Sequence, residues 1–81
     1  MKFTVYILTS EKDGSHYFGH SHNVLERLKS HNFGRVRSTK GKRPWVLHFC
    51  EDFETKSDAY RRELFFKSIE GYKYLKEKKI I

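Results

Sequence analysis

Residues 3–8 of this chain read FTVYIL, and the prediction of the fold starts from this stretch. Every residue in it is β-branched, aromatic or aliphatic, which is typical of a strand buried on both faces. The turn dipeptide Asp13-Gly14 follows, and residues 16–21 (HYFGHS) resume an extended pattern. The two segments predict a β-hairpin that carries Tyr6 and Tyr17 on neighbouring strands.

A helix is predicted directly after the hairpin. Asn23 is a good N-cap residue, and Glu26 stands three residues later, as in a capping box. The helix is expected to run from residue 23 to residue 31, with Gly34 as its terminator.

A third strand and two more helices complete the predicted order. Residues 45–53 have the composition of a strand, and Thr55 is the predicted cap of a helix over residues 56–69 that Gly71 closes. Leu64 and Ile69 are expected among the buried residues of that helix. Residues 72–81 predict a short, partly frayed helix. The predicted order is therefore β-β-α-β-α-α.

The composition predicts one small folded domain over residues 1–81. Hydrophobic residues make up 37% and aromatic residues 16% of the chain, enough for a core. The single cysteine, Cys50, lies in an apolar run and is expected to pack in the core. The sequence shows neither a signal peptide nor a membrane-spanning run, so we expect a soluble cytoplasmic protein with no membrane partner.

The charge balance indicates a polyanionic partner. Lysine and arginine outnumber aspartate and glutamate by 17 to 10, for a net charge of +7. Many of these cations lie in residues 34–43, which have no apolar periodicity and predict a mobile basic loop that contacts a nucleic-acid backbone. A solvated loop without a ligand is the alternative. The candidate nucleic-acid-binding residues are Arg35, Arg37, Lys40, Lys42 and Arg43.

Arg27 and His31 are four residues apart and therefore share one face of the first helix, beside the hairpin. They could reach one phosphate or one tyrosine hydroxyl, although solvated side chains are the commoner outcome for such a pair. Tyr6 and Tyr17 are equally consistent with packing. A tyrosine that acts as a base must lose its proton, which costs about 4 kcal/mol at pH 7 unless cations lie nearby.

Glu63 is the candidate metal ligand. It shares a helical stripe with Ala59 and Phe66, so it is expected to be at least partly buried, and a carboxylate suits Mg²⁺. An ordinary surface ion pair is the alternative. Three clustered histidines, His16, His20 and His22, lack the partners of a zinc site and are expected on the surface.

Taken in order, these motifs resemble the GIY-YIG nuclease superfamily over nearly the whole chain. The resemblance is to the small stand-alone bacterial members, which are similar to the nuclease domain of the excision-repair incision subunit. It is carried by VYIL at residues 5–8, YFGHS at 17–21, residues 23–31 with ERL, STKG at 38–41, RPW at 43–45, and residues 59–67 with Arg62-Glu63.

The resemblance implies an α+β fold, with a three-stranded antiparallel sheet flanked by helices, that cuts DNA with one Mg²⁺ or Mn²⁺ ion. By position, Tyr6 would be the general base, assisted by His31, and Tyr17 would align water and phosphate. Arg27 would stabilise the charge of the transition state, and Glu63 would hold the metal. Lys40 would serve as an auxiliary cation.

Three functions stay open at this level. The first is a metal-dependent DNA endonuclease, with DNA repair or recombination as its setting. The second is a nucleic-acid-binding module of the same fold with little turnover, since no asparagine follows Glu63, where several members have one. The third is a subunit that acts only with a protein partner. The substrate structure, DNA against RNA, and the oligomeric state are not decided by the sequence.

Overall fold

The computed structural model describes residues 2–81 and shows the predicted order of elements. The strands are β1 (Phe3–Ser10), β2 (His16–Ser21) and β3 (Trp45–Phe53), and the helices are α1 (Val24–Asn32), α2 (Lys56–Phe66) and α3 (Ile69–Glu77). The predicted α+β fold class is confirmed. None of the helices in residues 2–81 has the length and apolar character needed to cross a bilayer.

The sheet has the order β2-β1-β3, with both pairs antiparallel, so β1 is central and β2 is a free edge. Val5 and Ile7 point to one side of β1, while Tyr6 and Leu8 point to the other, and all four are at most 1% exposed. The prediction that this strand is buried on both faces is confirmed.

Each side of the sheet has its own core. On one side, α2 and α3 cover β1, and Ala59, Phe66 and Leu75 pack with Val5 and Ile7. On the other side α1 covers the sheet, and the second cluster consists of Tyr6, Leu8 and Trp45 with Tyr17, Val24 and Leu28 packed against it. The candidate catalytic tyrosines therefore belong to the α1 side.

The ends of α1 follow the predicted signals. The Asn23 side chain accepts a hydrogen bond from the Glu26 amide at 3.1 Å. Gly34, just beyond the helix, has a φ of +77°, a conformation that favours glycine. The last turn of α1 brings His31 inward, where it is fully buried.

The predicted end of α2 is wrong by three residues. The helix ends at Phe66, and Ser68 begins α3 by accepting a hydrogen bond from the Gly71 amide at 3.1 Å. Gly71 therefore lies inside α3 and does not close α2. A Cβ atom at Gly71 would come within 1.7 Å of the Phe65 carbonyl oxygen, so the glycine permits this tight helix junction.

The burial expected for Leu64 and Ile69 is also wrong, since they are 47% and 77% exposed. The early end of α2 changes the direction of the chain before Ile69, which instead opens the first turn of α3. Leu64 directly follows the buried Glu63 and lies off the stripe that Ala59, Glu63 and Phe66 share.

Cys50 is exposed, so its predicted place in the core is wrong as well. Cys50 pairs with Tyr6 across the sheet, on the side that α1 covers, but α1 contacts β3 at Trp45. Leu47 on the same side is 38% exposed, which shows how little covers this edge strand. A β-bulge leaves His48 without a partner on β1, between Leu47 and Phe49. Because of this extra residue, Leu47 lies on the same side of the sheet as Cys50.

The segment between α1 and β3 has more structure than the predicted mobile loop. Residues Lys40–Lys42 form a 3₁₀ turn, and Thr39 is 1% exposed. The Ser10 hydroxyl donates to the Lys42 carbonyl at 2.7 Å, and the Trp45 indole donates to the Thr39 carbonyl at 2.9 Å. These bonds attach the segment to β1 and β3.

Candidate active site

Gly19 gives Tyr6 the space to cross the neighbouring strand. The two residues are directly opposite each other in the β1–β2 ladder. A Cβ atom at position 19 would lie 2.6 Å from the Tyr6 hydroxyl oxygen, so the Tyr6 side chain passes over the glycine. The Tyr6 hydroxyl is thereby carried toward the free β2 edge of the sheet.

The structure brings four of the predicted residues together on the α1 side of that edge. The Tyr6 hydroxyl oxygen is 3.2 Å from Nε2 of His31. The Tyr17 ring centroid lies 4.7 Å from that of His31 and 6.3 Å from that of Tyr6. The proximity of the two tyrosine hydroxyls, first that of Tyr6, raises the pKa of Arg27. The alternative of a solvated His31 is wrong, since its side chain is fully buried.

Thr39 fixes the protonation pattern of this cluster, and sequence reasoning missed it. The Thr39 hydroxyl donates to the Val36 carbonyl at 3.3 Å, so its oxygen accepts from Nδ1–H of His31 at 2.8 Å. With the proton on Nδ1, Nε2 of His31 has a free lone pair that accepts from the Tyr6 hydroxyl. Tyr6, His31 and Thr39 form a continuous buried chain of proton donors and acceptors, named here the relay.

The electrostatics of the relay keep His31 neutral. Burial, with the nearby positive charge of Arg27, lowers the pKa of His31 to about 4. Burial also raises the pKa of Tyr6, although the Arg27 guanidinium beside its hydroxyl opposes the rise. At neutral pH the site therefore holds a protonated tyrosine against a neutral imidazole whose Nε2 carries no proton. This arrangement allows Tyr6 to accept a proton from a water molecule while it gives its own to His31.

Glu63 is 8% exposed, so the expectation of burial is confirmed. The alternative of an ion pair is also present, with Lys67, but Glu63 is not on the open surface. Its Oε2 accepts from Lys67 Nζ at 2.6 Å, and its Oε1 lies 2.6 Å from Nδ1 of His20. Burial alone would raise the pKa of Glu63, but the hydrogen bonds from Lys67 and His20 outweigh burial and lower it. Glu63 is consequently an ionised carboxylate in a protected position.

Two of the clustered histidines, His16 and His22, are exposed as expected, but His20 is not an ordinary surface residue. Its side chain is 21% exposed because α2 places Glu63 against it. The two residues are 43 positions apart, and no local pattern in the sequence signals their contact.

Glu63 reaches the edge of the sheet from the side opposite the tyrosines. It comes from α2, and its partner His20 is the neighbour of Gly19 on β2. A cleft of about 300 Å³ at this edge, named here the phosphate cleft, joins the two sides. Its lining includes Arg27 from the α1 side and His20 and Lys56 from the α2 side. The charge of Glu63 also contributes to the raised pKa of Tyr6, which is consistent with this proximity.

The donor set at this edge fits a magnesium ion that takes most of its ligands from elsewhere. Within residues 2–81, no group of three or more His, Cys, Asp or Glu side chains is placed to hold a metal. Mg²⁺ typically binds proteins through one or two carboxylates and completes its shell with water and substrate phosphates. Glu63 could supply that carboxylate if the ion takes the place of Lys67 Nζ or the His20 ring.

The five basic residues proposed to bind nucleic acid are all exposed. Some of them also have local partners: Arg43 Nε donates to the Lys40 carbonyl at 2.8 Å, and Lys42 Nζ is 3.7 Å from an Asp13 carboxylate oxygen. The segment is adjacent in the chain to Thr39 and therefore to the relay. Its five cations, named here the rim, flank Thr39 in the chain.

Comparisons with known proteins identify the family of the chain. Residues 2–76 match the family of the GIY-YIG catalytic domain. The chain is 42% identical over 76 residues to a UPF0213 protein of Staphylococcus haemolyticus, covering 93% of this chain and 92% of that one. It is 37% identical over 78 residues to a UPF0213 protein of Bacillus licheniformis, covering 91% and 79%. The solution NMR structure of a UPF0213 protein from Bacillus halodurans is similar, with a TM-score of 0.56, 34% identity, and coverage of 95% and 84%.

Proposed function

The chain belongs to the GIY-YIG family of catalytic domains, and we propose that it is a metal-dependent endonuclease that hydrolyses DNA phosphodiester bonds. One observation carries this proposal beyond family membership. The buried relay of Tyr6, His31 and Thr39 ends at the same sheet edge as the ionised Glu63, with Arg27 in the cleft between them. A phosphate held by Arg27 in that cleft would have the relay on one side of the sheet edge and the Glu63 carboxylate on the other.

In the proposed reaction, Tyr6 is the general base. A water oxygen attacks phosphorus and forms the new P–O bond while the P–O bond to the leaving oxygen breaks. The water proton passes to the Tyr6 oxygen, the Tyr6 proton passes to Nε2 of His31, and the leaving oxygen takes a proton from solvent. Nε2 of His31 has a free lone pair for this proton because the ring is neutral at pH 7 and Thr39 holds it in the required tautomer. Its pKa of about 4 makes it a weak base, so it takes the proton only as negative charge develops on the phosphate. No isolated phenolate forms in the buried site.

The other residues hold the phosphate and its charge. Arg27 stabilises the negative charge that builds up on the phosphoryl oxygens, and Tyr17 positions the water and the scissile phosphate. Glu63 would hold Mg²⁺ or Mn²⁺, which supplies Lewis-acid stabilisation of the leaving oxygen when bound. The basic rim of Arg35, Arg37, Lys40, Lys42 and Arg43 would contact the DNA backbone without reading bases.

The test is a cleavage panel of branched, duplex and single-stranded DNA with Mg²⁺ or Mn²⁺. Glu63→Gln preserves the size of the side chain but removes its charge, so we expect its cleavage rate to fall at least about 100-fold. Glu70→Gln, which neutralises an exposed carboxylate on α3, is the matched control and should cleave normally. Cleavage by Glu63→Gln at the wild-type rate would overturn the metal assignment. Preference for branched DNA would support a role in repair or recombination.

A binding module with little turnover is the second candidate, and the contacts of Glu63 favour it. Both carboxylate oxygens already have partners, so a metal must compete with Lys67 and His20. This candidate predicts salt-dependent DNA binding by both the wild type and Glu63→Gln, with no metal-dependent cleavage by either. A subunit that requires a protein partner would show neither binding nor cleavage alone.

A further inference from the structure

A second cleft adjoins the phosphate cleft, and the proposed reaction does not use it. It has a volume of about 420 Å³ and is lined by His20, Lys56, Ser57 and Tyr60. His20 and Lys56 line both clefts, so the two are continuous around the β2 edge. A strand held by Arg27 in the first cleft can therefore reach the entrance of the second.

Tyr60 gives this second cleft an aromatic wall. Tyr60 stands three residues before Glu63 on α2, but it is 49% exposed, whereas Ala59, Glu63 and Phe66 are buried. Its ring centroid lies 5.6 Å from that of His20, with an angle of 62° between the ring planes. The half-exposed ring is thus held against His20 at one side and remains available to a ligand at the other.

We propose that this cleft binds an unstacked nucleobase, the one next to the phosphate held in the phosphate cleft. The proposal rests on the proposed nuclease function and adds a substrate class to it. Tyrosine and histidine rings are common stacking partners of single-stranded bases, and Lys56 at the junction can neutralise the intervening phosphate. Aromatic rings flanked by cations fit the chemistry of a nucleotide, with an apolar base and an anionic backbone.

The position of the cleft predicts which nucleic acids bind well. A base in a duplex is paired and stacked, and it must be extruded to reach a recess lined by Tyr60 and His20, at a cost in free energy. A base in a single strand, a flap or a frayed end pays little of this cost. The structure therefore favours substrates with an unpaired nucleotide beside the scissile phosphate, ahead of continuous duplex.

The first experiment measures binding without divalent metal, so that cleavage does not interfere. Fluorescently labelled single-stranded and duplex oligonucleotides are titrated with wild type, Tyr60→Ala, Tyr60→Phe and Tyr72→Ala. Tyr72 is the matched control, a tyrosine 51% exposed on α3. We expect Tyr60→Ala to raise the Kd for single strands about tenfold, while Tyr60→Phe and Tyr72→Ala stay within about twofold of wild type. Duplex binding should be unaffected by all three substitutions.

The second experiment places one abasic nucleotide at successive positions of the single strand. The wild type should lose affinity when the base at one particular position is missing, and Tyr60→Ala should not respond at that position, because the stacking partner is already gone. A Tyr60→Ala protein that binds single strands as tightly as wild type, or loses single-strand and duplex affinity equally, would overturn the proposal.

The two proposals fail in distinguishable ways. Tyr60-dependent binding of single strands without any metal-dependent cleavage would support the base site and contradict the nuclease function. Metal-dependent cleavage with single-strand binding that does not depend on Tyr60 would do the reverse.

Discussion

His31 is fully buried, and both of its ring nitrogens have hydroxyl partners, Tyr6 at one side and Thr39 at the other. A charged imidazolium would lose this pattern, because Nε2 could no longer accept from Tyr6. The ring also lies near the Arg27 cation, which disfavours a second positive charge. The burial that makes His31 a neutral acceptor in the proposed reaction therefore also makes it sensitive to acid.

This sensitivity gives a prediction about stability. The pKa of His31 is about 4 in the folded protein and 6.5 in a solvated chain. Between these values the unfolded chain binds a proton that the folded chain does not, so stability falls as the pH drops from about 6.5 to about 4. The difference corresponds to at most about 3 kcal/mol. Urea unfolding between pH 7 and pH 4 should therefore show a weaker pH dependence for His31→Gln than for wild type.

The control is His22→Gln, which removes an exposed histidine and should retain the wild-type pH dependence. Equal pH dependence in wild type and His31→Gln would show that His31 is not buried in its neutral form.

Residue type and spacing, together with the resemblance to the GIY-YIG family, marked the tyrosines, Arg27, His31 and Glu63 as candidates but did not reveal their partners. The Tyr6–His31 contact spans 25 positions and the His20–Glu63 contact spans 43. Thr39 stands in a segment whose composition predicts only a loop, and its burial depends on Trp45 packing over it. Contacts of this kind are set by the tertiary fold, which single-sequence patterns do not encode.

Among the elements, the strands and α1 were predictable because each has a local signal. β1 is apolar throughout, β2 follows a turn dipeptide, and Asn23 caps α1. The junction of α2 and α3 was mispredicted because a glycine at this position is compatible with two structures. A glycine after a helical run is usually a terminator, but Gly71 permits the close approach of one helix to the end of another.

This junction supplies a prediction at the scale of elements. In Gly71→Ala the new methyl group would lie 1.7 Å from the Phe65 carbonyl oxygen, and that atom belongs to the backbone and cannot rotate away. Separating α3 from α2 would disturb the packing of the buried Leu75, so we expect a loss of about 1–3 kcal/mol in the free energy of unfolding. For a domain of this size, such a loss lowers the melting temperature by at least about 4 °C.

Thermal unfolding followed by circular dichroism measures this change. Gly41→Ala is the matched control, since a Cβ atom there would meet nothing within 4 Å and the backbone needs no positive φ. A Gly71→Ala protein that melts with the wild type would show that the helices do not approach as closely as described.

For the whole molecule, the net charge of +7 can promote DNA binding in two ways. The whole surface can attract DNA at long range, or particular residues can contact its phosphates directly. The phosphate cleft is lined by Phe3 and Ser21 at one end of the β1–β2 hairpin, whereas Lys42 of the rim contacts Ser10 and Asp13 at the other end. The buried relay lies between them. Each phosphate contact displaces condensed counterions, so the salt dependence of the Kd is proportional to the number of phosphate contacts. The total charge of the protein mainly affects long-range attraction.

Two double variants with the same net charge separate these contributions. Arg37→Gln with Lys40→Gln removes two cations from the rim, and Lys73→Gln with Lys79→Gln removes two exposed cations from α3 and the residues after it. If the rim contacts phosphates, the rim variant should lower the slope of log Kd against log salt concentration by about 1.5, since each lost contact contributes roughly 0.7–0.9. The variant in the C-terminal region should keep the wild-type slope. Equal slopes for the two variants would mean that the rim has no privileged contact with DNA and that the proposed binding residues are wrong.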